Sequence, residues 1–183
     1  MTARLVYIVG PSGSGKDSLI AFARRSMAAD SFVGFSRRTI TRPAFTGSED
    51  HISVTPGRFD ELRAEGAFAM DWQANDFHYG IGREIHDWLD SGRTVVVSGS
   101  RAYLPLAHAA FPQLRVVHVT ASLDTLRARL AGRGRETAAE IEARLARPAG
   151  LKLPASVEVE EIVNEGDIAS AGKRLIGMLS ASL

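Results

Sequence analysis

A chain of 183 residues with 45% apolar and 23% charged residues can bury one core without staples, as an ordinary soluble globular domain does. A net charge of +1 argues against a nucleic-acid footprint or a polybasic membrane patch, and the absence of cysteine excludes disulfides, a thiol nucleophile and a thiolate metal site. No apolar run approaches a membrane span and the chain enters a strand pattern almost at its start, so neither an anchor nor a signal peptide is expected, and the cytoplasm is the default address.

In chain order, strands and helices alternate. Arg4 to Val9 reads as a buried strand, followed by a helix from about Gly15 to Ala29. A short strand, Phe32 to Phe35, leads into a polar, arginine-rich stretch from Ser36 to Gly57. Thr55-Pro56 has the cap-plus-proline look of a helix start, and Gly66 stops that helix after Glu65. Ala67 to Gln73 and Phe77 to Ile81 read as a hairpin-like pair, and Glu84 to Leu89 as a helix ended by Gly92. Thr94 to Ser98 is a β-branched run of the kind buried on both faces of a parallel sheet. Leu104 to Phe111 is helical, Leu114 to Val119 is a strand, and Ser122 caps a helix through Leu130. After a Gly-Arg-Gly-Arg break at 132–135, Thr137 to Ala146 is amphipathic and Pro148 ends it; Val157 to Val163 and Ile168 to Leu179 close the chain as strand and helix. The alternation predicts a three-layer α/β fold with a mainly parallel sheet, its ligands gathered at the carboxyl ends of the strands.

At the first of those ends lies Gly10-Pro11-Ser12-Gly13-Ser14-Gly15-Lys16-Asp17-Ser18. A buried strand, a glycine loop with lysine and a helix, in that order, are what a phosphate-binding P-loop requires. The glycines let backbone amides close on a polyphosphate, the helix end adds its dipole, and Lys16 reaches the outer phosphates. The residue after the lysine is off pattern: Ser or Thr normally meets magnesium there, whereas here Asp17 comes first and Ser18 one place late. Asp17 either suits the first turn of a helix, where the dipole favours a carboxylate, or holds the metal directly or through water.

Two further regions separate the many P-loop classes. Arg129 and Arg133 lie four apart around a helix end and Arg144 returns from the next helix, a convergence suited to a lid over about 131–147 that neutralises a transferring phosphoryl group. Upstream, Arg38 and Arg42 within Ser36-Arg37-Arg38-Thr39-Ile40-Thr41-Arg42-Pro43, then Glu49-Asp50-His51 and Phe77-His78-Tyr79-Gly80, supply guanidinium forks and a phenol for a phosphate-bearing acceptor. The five histidines show no metal-ligand spacing; His51 and His78 abut the acceptor motifs, and Trp72 and Trp88 are expected to pack, with walling that pocket as the alternative for Trp72. Asn164-Glu165-Gly166-Asp167 faintly echoes a guanine-reading turn, but no accompanying switch motif is present; Asn164 is expected near the adenine or as a cap of the last helix.

With these pieces in view, the chain resembles the guanylate kinase family over nearly its whole length. The resemblance rests on Gly-Pro-Ser-Gly-Ser-Gly-Lys at 10–16, Ser-Arg-Arg-Thr-Ile-Thr-Arg-Pro at 36–43, Phe59, Tyr79-Gly80, Arg-Leu-Ala-Gly-Arg-Gly at 129–134, Arg144-Leu145 and Ile162-Val163-Asn164. It implies a single P-loop kinase domain over 1–183, with a core at 1–35 and 93–183 and an acceptor-binding insertion at 36–92. It implies ATP and Mg²⁺, with Gly10 to Ser18 and Asn164 on the nucleotide side and Asp17 and Ser18 as candidate metal ligands. Lys16, Arg129, Arg133 and Arg144 are then catalytic, and Arg38, Arg42 and Tyr79 hold the acceptor phosphate.

Three departures bear on the acceptor. Where the family reads guanine with a glutamate, this chain has Met70; where it has a hydroxyl residue after Tyr-Gly, here it is Ile81; and its Asp-Ile-Asp element becomes Ser98-Gly99-Ser100-Arg101. A thioether and an alkyl group cannot hydrogen-bond a base edge. On this alignment Met70→Glu is expected to leave folding unharmed and to add some GMP binding, while a register slip would make Asp71 or Gln73 the base reader. The Gly-Lys-Asp-Ser loop end and the Ser-Gly-Ser-Arg-Ala turn at 98–102 resemble a branch of the family acting in bacterial phosphonate breakdown. That branch phosphorylates the 1-phosphate of ribose 1,5-bisphosphate with ATP, giving 5-phosphoribosyl 1-diphosphate. Arg101, with Arg37 or Arg83 less favoured, then answers the second phosphate of the sugar. A nucleoside monophosphate kinase and a non-enzymatic binding module are the alternatives, and the substrate side is expected to involve a small sugar phosphate, no nucleic acid and no membrane, in a monomer or a homodimer.

Overall fold

The computed structural model describes residues 4–30, 32–43, 50–134, 136–146, 151, 153 and 157–180. Glu49, Arg135 and Pro148, singled out above, lie outside them. Nine strands and seven helices follow the order β1 (Arg4–Val9), α1 (Lys16–Ser26), β2 (Val33–Phe35), β3 (Arg38–Ile40), β4 (His51–Ser53), α2 (Pro56–Ala64), β5 (Phe68–Ala74), β6 (Phe77–Gly82), α3 (Glu84–Asp90), β7 (Thr94–Ser98), α4 (Leu104–Ala110), β8 (Arg115–Thr120), α5 (Leu123–Ala131), α6 (Ala138–Leu145), β9 (Val159–Val163) and α7 (Ile168–Ser180) among the described residues.

Five strands form one parallel sheet in the order β2-β7-β1-β8-β9. Alternation along β1 divides its side chains between the two faces. Val6 and Ile8 pack with Leu19 and Ile20 of α1 and Leu175 and Leu179 of α7. Leu5, Tyr7 and Val9 pack on the other face with Ile85, Leu104, Met70 and Ile81. These are the three layers expected, and the parallel strands are apolar on both sides as such sheets demand. No helix among the described residues is long and apolar enough to cross a membrane.

The polar, arginine-rich stretch 36–57, for which no strand is expected from the sequence, carries two. It contains β3 and β4, which join β6 and β5 in a second, mixed sheet ordered β4-β3-β6-β5. Each of the two strands is three residues long and has no period of its own to reveal it; β3 is made a strand by pairing with β6 about forty residues on, and β4 by pairing with β3. The first helix also starts one residue later than expected and stops at Ser26, with Arg24 and Arg25 in its last turn where the dipole favours cations.

Candidate active site

β1 delivers the chain to the loop, and α1 leaves it. Gly13 and Gly15 take φ of +87° and +83°, a region costly for other residues. At Gly15 a Cβ would also come within 2.5 Å of Asn164 Nδ2, so glycine is required there twice over. Asn164 follows β9 and is buried; its Nδ2 donates to Ser14 O at 2.7 Å, bracing the loop from beneath. Its expected alternative role as cap of the last helix falls to Asp167, whose carboxylate accepts from the N–H groups of Ala169 and Ser170. Glu165 of the same turn bonds Ser122 and Thr125 at the start of α5, so the turn serves packing rather than base reading.

The lid arginines meet this loop. Arg129 Nη1 donates weakly to Gly13 O and Ser14 O at 3.5 and 3.4 Å, and Arg144 Nη2 donates to Ser12 Oγ at 2.6 Å. Arg144 also pairs with Glu136. Arg133, exposed beyond the end of α5, is close enough for its charge to act on Asp17. A capping box of Thr137 and Glu140 starts α6, and Arg127 ties α5 to Glu142 of α6 at 2.6 Å.

Asp17 is the hinge between the two halves of the site. Its Oδ1 accepts from Arg38 Nη2 at 2.8 Å and from Ser98 Oγ at 2.9 Å, and its Oδ2 lies 3.9 Å from Lys16 Nζ. Burial pushes its carboxyl upward, but Lys16, Arg38, the Ser98 hydrogen bond and Arg133 together outweigh it and hold the group well below the usual carboxylate range. One anion therefore connects α1, β3 and β7.

Arg38 is almost fully buried, and its guanidinium lies over the Tyr79 ring at 5.7 Å. Tyr79 stacks on Trp72 at 5.6 Å, and Trp72 on Tyr103 at 5.4 Å; Trp72 is buried in the core, as its reading as a packing residue expects. Arg42 follows β3, its carbonyl accepting from Ser53 Oγ at 2.8 Å and facing His51 Nε2 at 3.3 Å. His78 lies against Phe59 and beside Arg63, a position in the packing of α2 on β6.

The turn after β7 is fixed by a residue that sequence reading passed over. Tyr7 OH accepts from Ser100 N–H at 3.0 Å and donates to Ser100 O at 3.2 Å; burial pushes its phenol far above the ordinary value. Gly99 lies on the Tyr7 ring, where a Cβ would come within 2.0 Å of it. Arg101 leaves this turn toward β8, where burial lowers His118 below its usual value, Glu161 opposes that shift and Arg101 adds to it.

Met70 and Ile81 face each other across β5 and β6, 2% and 0% exposed, inside the main core. The expectation that Met70→Glu is harmless is thereby corrected, since it would bury an unpaired carboxylate. Asp71, the register-slip alternative, is engaged by Arg63 Nε at 2.9 Å.

No family model matches the chain. It is 48% identical over 180 residues to the ribose 1,5-bisphosphate phosphokinase PhnN of Laribacter hongkongensis, covering 98% of this chain but 43% of that relative's length. It is 47% identical over 176 residues to the protein of the same name from Burkholderia pseudomallei, covering 96% of this chain and 95% of that one. The structure aligns with guanylate kinase from Anaplasma phagocytophilum at a TM-score of 0.67 and 20% identity, covering 98% and 85% of the two chains, a likeness of fold that agrees with the P-loop architecture. By its near-complete match to the Burkholderia protein, the chain belongs to the ribose 1,5-bisphosphate phosphokinase PhnN family.

Proposed function

We propose that this chain transfers the γ-phosphoryl group of ATP to the 1-phosphate of ribose 1,5-bisphosphate, yielding ADP and 5-phosphoribosyl 1-diphosphate. The observation that carries the reading is a contrast within one small sheet. Met70 and Ile81, at the positions where a base would be read, are apolar and buried in the core, while Arg38 of the same sheet reaches Asp17 beside the P-loop. Such a site has cations for phosphates and nothing at those two positions for a purine edge. The names of the relatives agree with it.

The chemistry asks little of covalent catalysis. An oxygen of the 1-phosphate already carries negative charge, so it attacks the γ-phosphorus without a general base. The bond from that phosphorus to the β–γ bridging oxygen breaks, and ADP leaves with the electron pair. The protein's share is alignment and neutralisation. Lys16 and the loop Gly10–Ser18 take the polyphosphate, with Asn164 holding the loop in shape. Arg129, Arg133 and Arg144 cover the transferring group. Arg38, Arg42 and Tyr79 hold the acceptor phosphate, and Arg101 adds positive charge at the edge of the site.

The residues present fit a magnesium ion by their donor chemistry. Asp17 Oδ1 is taken by Arg38 and Ser98, but its Oδ2 edge and the Ser18 hydroxyl on the first turn of α1 are hard oxygens of the kind that join phosphate oxygens and water in a magnesium shell. When bound there the ion would supply charge neutralisation for the polyphosphate.

The test is an ADP-release assay comparing ribose 1,5-bisphosphate with GMP, AMP and ribose 5-phosphate as acceptors. Ribose 1,5-bisphosphate is expected to be turned over fastest. Turnover of GMP well above the sugar bisphosphate overturns the reading in favour of a nucleoside monophosphate kinase.

A further inference from the structure

A cleft of about 230 Å³ runs along α1 away from the P-loop, and the roles assigned so far use only its near end. Asp17, Ile20, Ala21, Arg24 and Arg25 line it at helical spacing, so they share one face of α1. Ser36 and Arg38 form the opposite wall. Resting on the acceptor reading above, we propose that this cleft seats the second phosphate of the acceptor, the one that is not phosphorylated, with Arg24 and Arg25 as its cations.

Position comes first. The near end holds Asp17 and Arg38, where the reacting phosphate is to be gripped; the far end holds Arg24 and Arg25. Seven residues of helix separate Asp17 from Arg24, a rise of about 10 Å, the scale of a pentose with a phosphate at each end. A sugar held by its reacting phosphate near Arg38 can therefore lay its other phosphate along α1.

Charge comes second. Three arginines and two carboxylates line the cleft. Asp17 is already shared among Arg38, Ser98 and Lys16, and Asp50 between Arg24 Nη1 at 2.6 Å and Arg37 Nη2 at 2.7 Å. Arg24 is held in place by its donations to the Phe35 and Ser36 carbonyls at 3.4 and 3.3 Å. Arg25, one residue on, is exposed and makes no hydrogen bond or ion pair among the described residues. A phosphate at this end meets one preorganised and one unpaired guanidinium, the fork chemistry that phosphates favour.

Of the other cations considered for this phosphate, Arg101 stands elsewhere and Arg37 is already paired at Asp50. Arg101 is on the turn after β7 with its charge reaching His118 on β8, and β8 lies on the opposite side of β1 from β7. Arg37 is half exposed and spends its fork on Asp50.

The experiment pairs variants with acceptors that differ by one phosphate. With ribose 1,5-bisphosphate, Arg25→Met is expected to raise KM about tenfold with kcat within about twofold, the loss of one charged contact made equally in ground and transition states. With ribose 1-phosphate, which lacks the second phosphate, wild type and Arg25→Met should be indistinguishable. Arg24→Met should act in the same direction and more strongly, and circular dichroism shows whether it has folded; Arg25→Met keeps the test decisive if it has not. An unchanged KM for the bisphosphate in Arg25→Met, or an equal loss on ribose 1-phosphate, overturns the proposal. Calorimetry with ribose 5-phosphate, which needs no turnover, separates the two failures. If wild type does not turn over the bisphosphate, the reading of the reaction has failed and takes the acceptor assignment with it. If the bisphosphate is turned over but ribose 5-phosphate binds wild type and Arg25→Met alike, the cleft assignment alone has failed.

Discussion

The donor side and the acceptor side of this site are built in different ways. The donor side is contiguous: nine residues from Gly10 to Ser18, braced by Asn164 and touched by Arg129 and Arg144, make a phosphate cradle whose shape is nearly local. The proposed acceptor side is assembled from β3, β6, the end of β7 and one face of α1, elements up to about eighty residues apart, and its arginine Arg38 is positioned by a carboxylate on the donor side. A local motif specifies that a polyphosphate is bound. Only the long-range assembly specifies what receives the phosphoryl group.

If that division is right, damage to the donor side should abolish transfer with every acceptor and leave the fold alone. Lys16→Ala is expected to lower kcat by about 10³-fold, the scale of removing a preorganised charge from a transferring group, with an unchanged melting temperature. Wild-type turnover in this variant breaks the comparison at once. Met70→Glu attacks the other side through its core. Burying a carboxylate without a partner at a position 2% exposed should cost about 3 kcal/mol or more, read as a lowered urea midpoint, and should not create GMP turnover. A stable Met70→Glu protein that phosphorylates GMP would mean the base pocket survives and that the acceptor side is less specialised than argued. Arg144→Met removes one lid contact, to Ser12 Oγ, and should lower kcat by about 10²-fold with the KM of both substrates little changed.

The same division explains what could be read in the sequence. The alternation of strands and helices and the strand–glycine loop–helix at the start are local patterns, and the structure has them where the pattern does; of the late arginines, Arg129 and Arg144 reach that loop. β3 and β4 were illegible because three-residue strands are defined by their partners; nothing in Arg38-Thr39-Ile40 announces β6. Tyr7 sat unnoticed among apolar neighbours of β1, though its hydroxyl pins the turn after β7 from ninety-three residues away. Arg24 and Arg25 read as the ordinary basic end of a helix, and only the cleft beside them gives them another use. Asp17 was visible as a departure from the motif, but its partners Arg38 and Ser98 lie 21 and 81 residues on, beyond the reach of any local rule.

Asp17 is where the two sides meet, and its replacement sharpens the comparison most finely. Asp17→Ser restores the hydroxyl that P-loops ordinarily carry at this position, so a residue acting only on the donor side should tolerate it. As the anchor of Arg38, it should not: with the carboxylate gone, Arg38 loses its 2.8 Å partner, and the KM for the acceptor should rise about tenfold while the KM for ATP and the magnesium requirement stay near wild type. A shift in the magnesium requirement alone would mean that Asp17 serves the donor side only and does not anchor Arg38 for the acceptor. Acid titration provides an independent reading of the same ion pair. Because the folded-state carboxyl is held below its unfolded value, its contribution to stability is fully present above about pH 5, begins to fade as pH falls past the unfolded value near 4, and is gone only below the folded value. The melting-temperature gap between wild type and Asp17→Asn should therefore be widest near neutrality and narrow on acidification. A gap that is constant with pH would mean that the carboxylate's charge does not hold α1 to β3, and that the halves of the site are joined by packing alone.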